Sequence, residues 1–148
     1  MVDILHRVGT HASPEEVYGA LSTNTGLSDW WTRQTTGGDG AVGDTIHFRF
    51  SDLGGFDMQV DELVPAKRVA WTVTGGPDEW IGTKVHFDLH SANDHTIVMF
   101  KHEGWAEPVE FMHHCSTKWA SYLLSLKALV ETGNGAPHPD DVHVAEWD

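Results

Sequence analysis

Apolar and polar residues alternate with a period of two at the start of the chain. Val2, Ile4, His6, Val8 and Thr10 fall on one side and Asp3, Leu5, Arg7 and Gly9 on the other, which predicts a half-buried strand ending at His11-Ala12. Ser13 then precedes Pro14-Glu15-Glu16. A serine N-cap, a proline in the first turn and acids at the positive end of the helix dipole coincide there, and Glu16 completes a capping box with Ser13. The helix runs through Val17, Tyr18, Ala20 and Leu21 to the polar run from Ser22 to Gly26. Leu27, Trp30 and Trp31 continue at helical spacing as a short second helix, and Thr35-Thr36-Gly37-Gly38-Asp39-Gly40 reads as loop chemistry.

Beyond Gly43 the period returns to two, the pattern of an antiparallel meander. Its inward rows are Ile46, Phe48 and Phe50; Phe56, Met58 and Val60; Val69, Trp71 and Val73; Thr83, Val85, Phe87 and Leu89; and Thr96, Val98, Phe100 and His102. After Pro108 the period becomes 3.6, and a long helix is expected to about Glu131. Met112, Cys115 or Ser116, Trp119, Leu123, Leu126 and Val130 form its apolar stripe, and Gly133 is its C-cap. Residues 1–133 thus read as one domain and 134–148, rich in Gly, Pro, Asp and His, as a surface tail anchored by Trp147. The class is α+β, a six- or seven-stranded antiparallel sheet with the long helix across its concave face.

Composition sharpens this picture in three ways. Seven Trp, six Phe and two Tyr supply either a solid aromatic core or the wall of a small-molecule cavity. A net charge of −13 repels phosphate backbones and anionic lipid, so nucleic acid is not an expected partner. No apolar run is long enough for a membrane span or a signal peptide, so a cytoplasmic location is the expectation. The single Cys115 excludes an internal disulfide framework, and the eleven histidines are scattered instead of set at ligand spacing. No metal site and no cofactor is expected.

Candidate chemistry is thin. His6, Glu62, His102, Glu103 and Cys115 are the groups that an enzyme would draw on, and no triad spacing connects them. His102 is the best catalytic candidate, on the face of Val98 and Phe100 at a strand end, although an inward histidine also serves as a hydrogen-bonded core residue. His6 is inward by the same argument and could share a polar spot with it. Cys115 reads as a small hydrophobe. The expected pocket wall is Phe48, Met58, Trp71, Phe100, Met112, Trp119 and Leu123, with His102 the main polar group and Trp71 approaching Trp119 across the interior. Trp30, Trp31 and Trp80 are candidates for a cavity rim or a protein interface.

Several local motifs resemble the START/SRPBCC superfamily with its helix-grip, Bet v-like fold, and within it the branch of activators of the heat-shock-protein-90 ATPase. They are Ala12-Ser13-Pro14-Glu15-Glu16-Val17-Tyr18, Trp30-Trp31, Gly43-Asp44, Val64-Pro65-Ala66-Lys67-Arg68-Val69 and Trp71-Thr72. Thr96-x-Val98-x-Phe100-x-His102-x-Gly104 and Trp119-x-x-x-Leu123-x-x-Leu126-Lys127, closing in Glu131-Thr132-Gly133, complete the set, which spans Val2 to Gly133. The chain departs from it at Lys118, where the family usually has glycine; a long side chain there would narrow or rim the cavity. The resemblance implies a curved sheet around a hydrophobic cavity of the kind used for lipids, sterols and polyketides. Three readings follow: a binding module for an apolar or aromatic small molecule, a protein-interaction or co-chaperone-like module, and a cyclase- or hydrolase-type enzyme using His102. A monomer or homodimer is expected.

Overall fold

The computed structural model describes residues 1–148. Strand β1 (Val2–Thr10) leads into α1 (Pro14–Ser22) and α2 (Asn24–Trp30). The capping box forms as the spacing requires: Ser13 accepts from the Glu16 amide at 3.2 Å. Thr23 repeats the device for α2, accepting from Gly26 at 3.1 Å. Six strands follow, β2 (Gln34–Gly37), β3 (Thr45–Arg49), β4 (Gly55–Val64), β5 (Arg68–Gly75), β6 (Lys84–Ala92) and β7 (His95–Trp105), and then helix α3 (Glu110–Thr132).

All seven strands form one antiparallel sheet in the order β1-β7-β6-β5-β4-β3-β2. Strands β2 to β7 are a continuous meander, and β1 closes it by pairing with β7 from Val2↔Trp105 to Thr10↔Thr96. The segment read as a loop at Thr35–Gly37 is strand β2, pairing Thr35 with Phe48 and Gly37 with Ile46. Its polar sequence hides it because it is an edge strand, and only Thr35 of its four residues is buried. The inward rows of the meander are buried as their alternation requires, from Ile46 and Phe48 through Trp71 and Val73 to Phe100 and His102; only Phe56, which packs against the core, is partly exposed.

Helix α3 lies against the sheet with Cys115, Trp119, Tyr122, Leu123 and Leu126 buried. Its far end is clamped to β1: Lys127 Nζ donates to the Gly9 carbonyl at 2.5 Å and Thr10 donates to Glu131 at 2.6 Å. Gly133 ends it in the left-handed conformation (φ 86°) that a Cβ would strain.

Residues 134–148 form no helix or strand of their own, and Pro137 and His138 alone among them are buried. The chain returns across α3 and pairs with the residues after α2: the His138 amide donates to the Trp31 carbonyl at 2.8 Å, and the Arg33 amide to the His138 carbonyl at 3.2 Å. A Cβ at Gly135 would stand 2.4 Å from the Asp29 carbonyl oxygen, so this return path needs glycine. Trp147, the anchor expected from sequence, is 44% exposed, whereas His138 is buried.

Candidate functional site

Six of the seven tryptophans are buried, and Trp30, Trp31 and Trp80 are among them. Of these three candidates for a cavity rim or an interface, Trp31 and Trp80 line the cavity described below and Trp30 does not. The neighbours Trp30 and Trp31 are both buried at the end of α2, where Trp31 is the C-cap and its amide still donates to the Leu27 carbonyl at 2.9 Å. Trp30 donates from its indole N–H to the Ala20 carbonyl at 2.8 Å, tying α2 to α1. Trp31 reaches the centre of the molecule, its ring 6.1 Å from Trp71, 4.8 Å from Trp119 and 4.3 Å from Phe48. Trp71 and Trp119 are thus joined through Trp31, which bridges the sheet and α3.

Phe48, Met58, Trp71, Phe100 and Leu123, expected to wall a cavity, are buried in solid core, and Met112 packs at its margin. His102 is not among the residues that line the cavity described below, although it touches two that are, Trp80 and Trp119. Its surroundings define one tautomer: Nδ1 accepts from the Trp119 indole at 3.1 Å, so the proton sits on Nε2 and is donated to Thr83 Oγ1 at 2.8 Å, whose own hydroxyl donates to the Trp80 carbonyl at 2.5 Å. Burial pushes its pKa down to about 3. With both nitrogens engaged and no charge at neutral pH, His102 joins β7, the Trp80 loop and α3 as a structural polar bridge. His6 does not share this spot; its Nε2 lies 3.1 Å from the Ser116 carbonyl oxygen.

The cavity lies along the N-terminal half of α3, on the face next to the one expected. It has a volume of about 160 Å³ and is bounded by four parts of the chain. Helix α3 presents Phe111, His114, Cys115, Lys118, Trp119 and Tyr122, spaced by alternating steps of three and one that keep them on one face. Trp31 and Trp80 come from the two loops beneath. Phe50, Leu53, Gly55 and Phe56 come from the β3–β4 connection, and His138, Asp141, Trp147 and Asp148 from the returning segment. Of the wall expected from sequence, Trp119 alone lines it. Trp80 stacks on Phe56 with ring centres 3.8 Å apart, and the partly exposed Leu53 and Trp147 mark the rim.

Lys118 holds the fourth wall in place. Its Nζ donates to Asp141 Oδ2 at 2.6 Å, to Asp148 Oδ2 at 2.9 Å and to the Val142 carbonyl at 3.0 Å. Tyr122 donates to the same Asp141 oxygen at 2.8 Å. Burial alone would raise the Asp141 carboxyl pKa, but hydrogen bonds from Lys118 and Tyr122 outweigh it and hold it below the ordinary range. The same burial, with Asp141 beside it, pushes the Tyr122 hydroxyl well above its ordinary value. Cys115, another wall residue, has its thiol pushed up to about 12 by burial, against the pull of the Trp80 indole, so it is not a thiolate nucleophile. Two buried polar atoms of wall residues have no hydrogen-bond partner, Asp141 Oδ1 and Trp80 Nε1.

Sequence reasoning placed the cavity on a neighbouring face of the same turns of α3 and missed Phe111, Tyr122, Asp141 and Asp148. The available signal was a second aromatic stripe, Phe111-Cys115-Lys118-Tyr122, one position out of register with the strictly apolar one, with Lys118 as the departure that needed an acidic partner.

Residues 11–131 match the family described as Activator of Hsp90 ATPase homolog 1-like protein. The solution structure of the Aha1 dimer from Colwellia psychrerythraea is 48% identical, with a TM-score of 0.84 over 91% of this chain and 100% of that one. A Staphylococcus saprophyticus protein (16% identity, TM-score 0.74, 90% and 95% of the two chains) and a Mesorhizobium loti protein (16%, 0.76, 88% and 97%) share the fold. No curated protein matches the sequence. No helix is long and apolar enough to cross a membrane.

Proposed function

Since the chain belongs to the activator of Hsp90 ATPase homolog 1-like family of the SRPBCC superfamily, we propose that it binds one small, flat, apolar molecule in the cavity between α3 and the β3–β4 connection. The observation that carries this reading is a partly open pocket of about 160 Å³ walled by Trp31, Trp80, Trp119 and Tyr122. Natural cores leave few voids larger than a water, and an apolar cavity of about 150 Å³ is large enough to take up benzene. The volume sets the size of the ligand at one aromatic ring with a short substituent. Sterols and fatty acids occupy larger pockets, of roughly 300–1,000 Å³, so the family-wide range of lipids narrows here to small aromatics.

The enzyme reading finds no support in His102, which is hydrogen-bonded at both nitrogens and does not line the cavity. The interaction-module reading rested on exposed indoles, and the three in question are buried. A homodimer is supported by the relative from Colwellia psychrerythraea, which is described as a dimer.

Titration with phenol, indole and palmitate, followed by tryptophan fluorescence, tests the proposal because four indoles, Trp31, Trp80, Trp119 and Trp147, line the site. Saturable changes with the one- and two-ring compounds and none with palmitate are expected. No response to either aromatic compound would overturn it.

A further inference from the structure

A second groove, of about 210 Å³, adjoins the cavity along the N-terminal half of α3. It is lined by Glu110, His113, His114 and Thr117 of the helix and by residues 144–147 of the returning segment. His114 and Trp147 belong to both compartments and form the ridge between them, their rings edge to face with centres 5.4 Å apart. The first compartment is aromatic, whereas the second carries two carboxylates, Glu110 and Glu146. A free one-ring ligand fills the first and leaves the second empty. It also leaves the lips uncovered, where Leu53 is 58% and Trp147 44% exposed. Large apolar side chains exposed around a pocket, with polar groups beyond them, mark contact with a larger partner.

The charge around the two compartments selects that partner. Asp52 follows directly before Leu53, Asp78 and Glu79 lie between Pro77 and Trp80, and these three carboxylates are exposed, as are Glu110 and Glu146. Burial raises the pKa of the Cys115 thiol and the charge of Glu79 adds to the rise, which sets Glu79 close to the wall. The permanent cations nearby are already engaged: Lys118 with Asp141 and Asp148, Arg33 with Asp140 and Arg49 with Asp57. The remaining basic groups are His113, His114, His138 and His143, and of these His138 is held between Ser51, at 3.0 Å, and Asp141, at 3.5 Å. Even with all four protonated, the compartments and their lips keep an excess of carboxylates.

We propose that the two compartments dock an exposed segment of a partner protein, an aromatic side chain entering the first and an adjoining lysine or arginine lying in the second against Glu110 and Glu146. This rests on the reading of the cavity as a site for one aromatic ring and states what the ring is attached to. A second copy of the chain would bring a net charge of −13 to a face that is itself acidic, which disfavours it as the occupant.

Calorimetric titration of the full chain at about pH 8, where imidazole is ordinarily neutral, compares phenol with three blocked pentapeptides, Gly-Lys-Phe-Lys-Gly, Gly-Glu-Phe-Glu-Gly and Gly-Lys-Ala-Lys-Gly. In about 0.01 M salt the lysine–phenylalanine peptide should bind at least about tenfold more tightly than phenol or either other peptide. Its advantage over the glutamate peptide should shrink at least about threefold in about 0.1 M salt, which screens exposed charges. Leu53→Glu, a change at the exposed lip, should weaken it at least about tenfold. If the lysine–phenylalanine peptide binds no more tightly than phenol or than either other peptide, the docking proposal is overturned and the cavity reading stands. Failure of phenol and all three peptides to bind would overturn both. A dimer of the unsubstituted chain that this peptide disperses in sedimentation would assign the lips to a second copy and overturn the proposal as well. The peptide series is measured on the unsubstituted chain, so it decides the matter even if Leu53→Glu does not fold.

Discussion

His102 shows how a single residue is converted from a candidate catalyst to a structural bridge by its neighbours. Its ordinary pKa of 6.5 in the unfolded chain falls to about 3 in the fold, because burial disfavours the imidazolium. Between those two values the unfolded chain binds a proton that the folded chain refuses. Stability is therefore fully present above about pH 6.5 and declines as the pH falls toward 3, by up to about 1.4 kcal/mol per pH unit. The five carboxylates with lowered pKa, Asp57, Asp88, Glu131, Asp141 and Asp148, add losses of their own only below about pH 4.5, where their unfolded forms protonate. Urea midpoints measured from pH 7 to 5 should accordingly fall for the unsubstituted chain. His102→Gln should be less stable at pH 7, having lost part of the Trp119–Thr83 bridge, yet show a nearly flat profile over that range. A profile with the same slope in both proteins would mean that another group carries the titration.

At the scale of elements, the boundaries that local chemistry dictates are where the sequence put them. Ser13 and Glu16 cap α1, Gly133 ends α3 and the alternating rows make β3 to β7. What lay outside local chemistry was the docking of residues 134–148, which depends on Lys118 meeting carboxylates 23 and 30 residues away. Breaking a buried ion pair by removing one partner commonly costs about 3–5 kcal/mol. Here the segment has a cheaper outcome, which is to undock. Lys118→Met should therefore leave the sheet amides protected in hydrogen exchange while those of Val144 and Ala145, now bonded to Asp148, lose protection. Uniform loss of protection throughout the sheet would show instead that the segment folds as one unit with the domain.

The whole molecule carries 22 acidic against nine basic residues, and its net charge of −13 opposes compaction. Added salt screens that repulsion over a Debye length that shortens from about 30 Å at 0.01 M to about 10 Å at 0.1 M. The thermal midpoint should rise between those concentrations, and a fall would place the balance with attractive pairs such as Arg68–Asp88.

The sequence by itself determined the α+β class, the two changes of period, near Gly43 and Pro108, and the inward rows of the meander, because side-chain direction follows from backbone geometry over a few residues. Only the tertiary structure decided that Trp31 bridges Trp71 and Trp119, that His102 is engaged on both sides, and that the void opens against Phe111, Lys118 and Tyr122 instead of Phe48, Met58 and Leu123. Periodicity says which face of an element turns inward. Whether that face meets another side chain or empty space depends on volumes contributed by residues far apart in the chain, and the acidic wall of the cavity is formed by a segment whose local sequence carries no sign of burial.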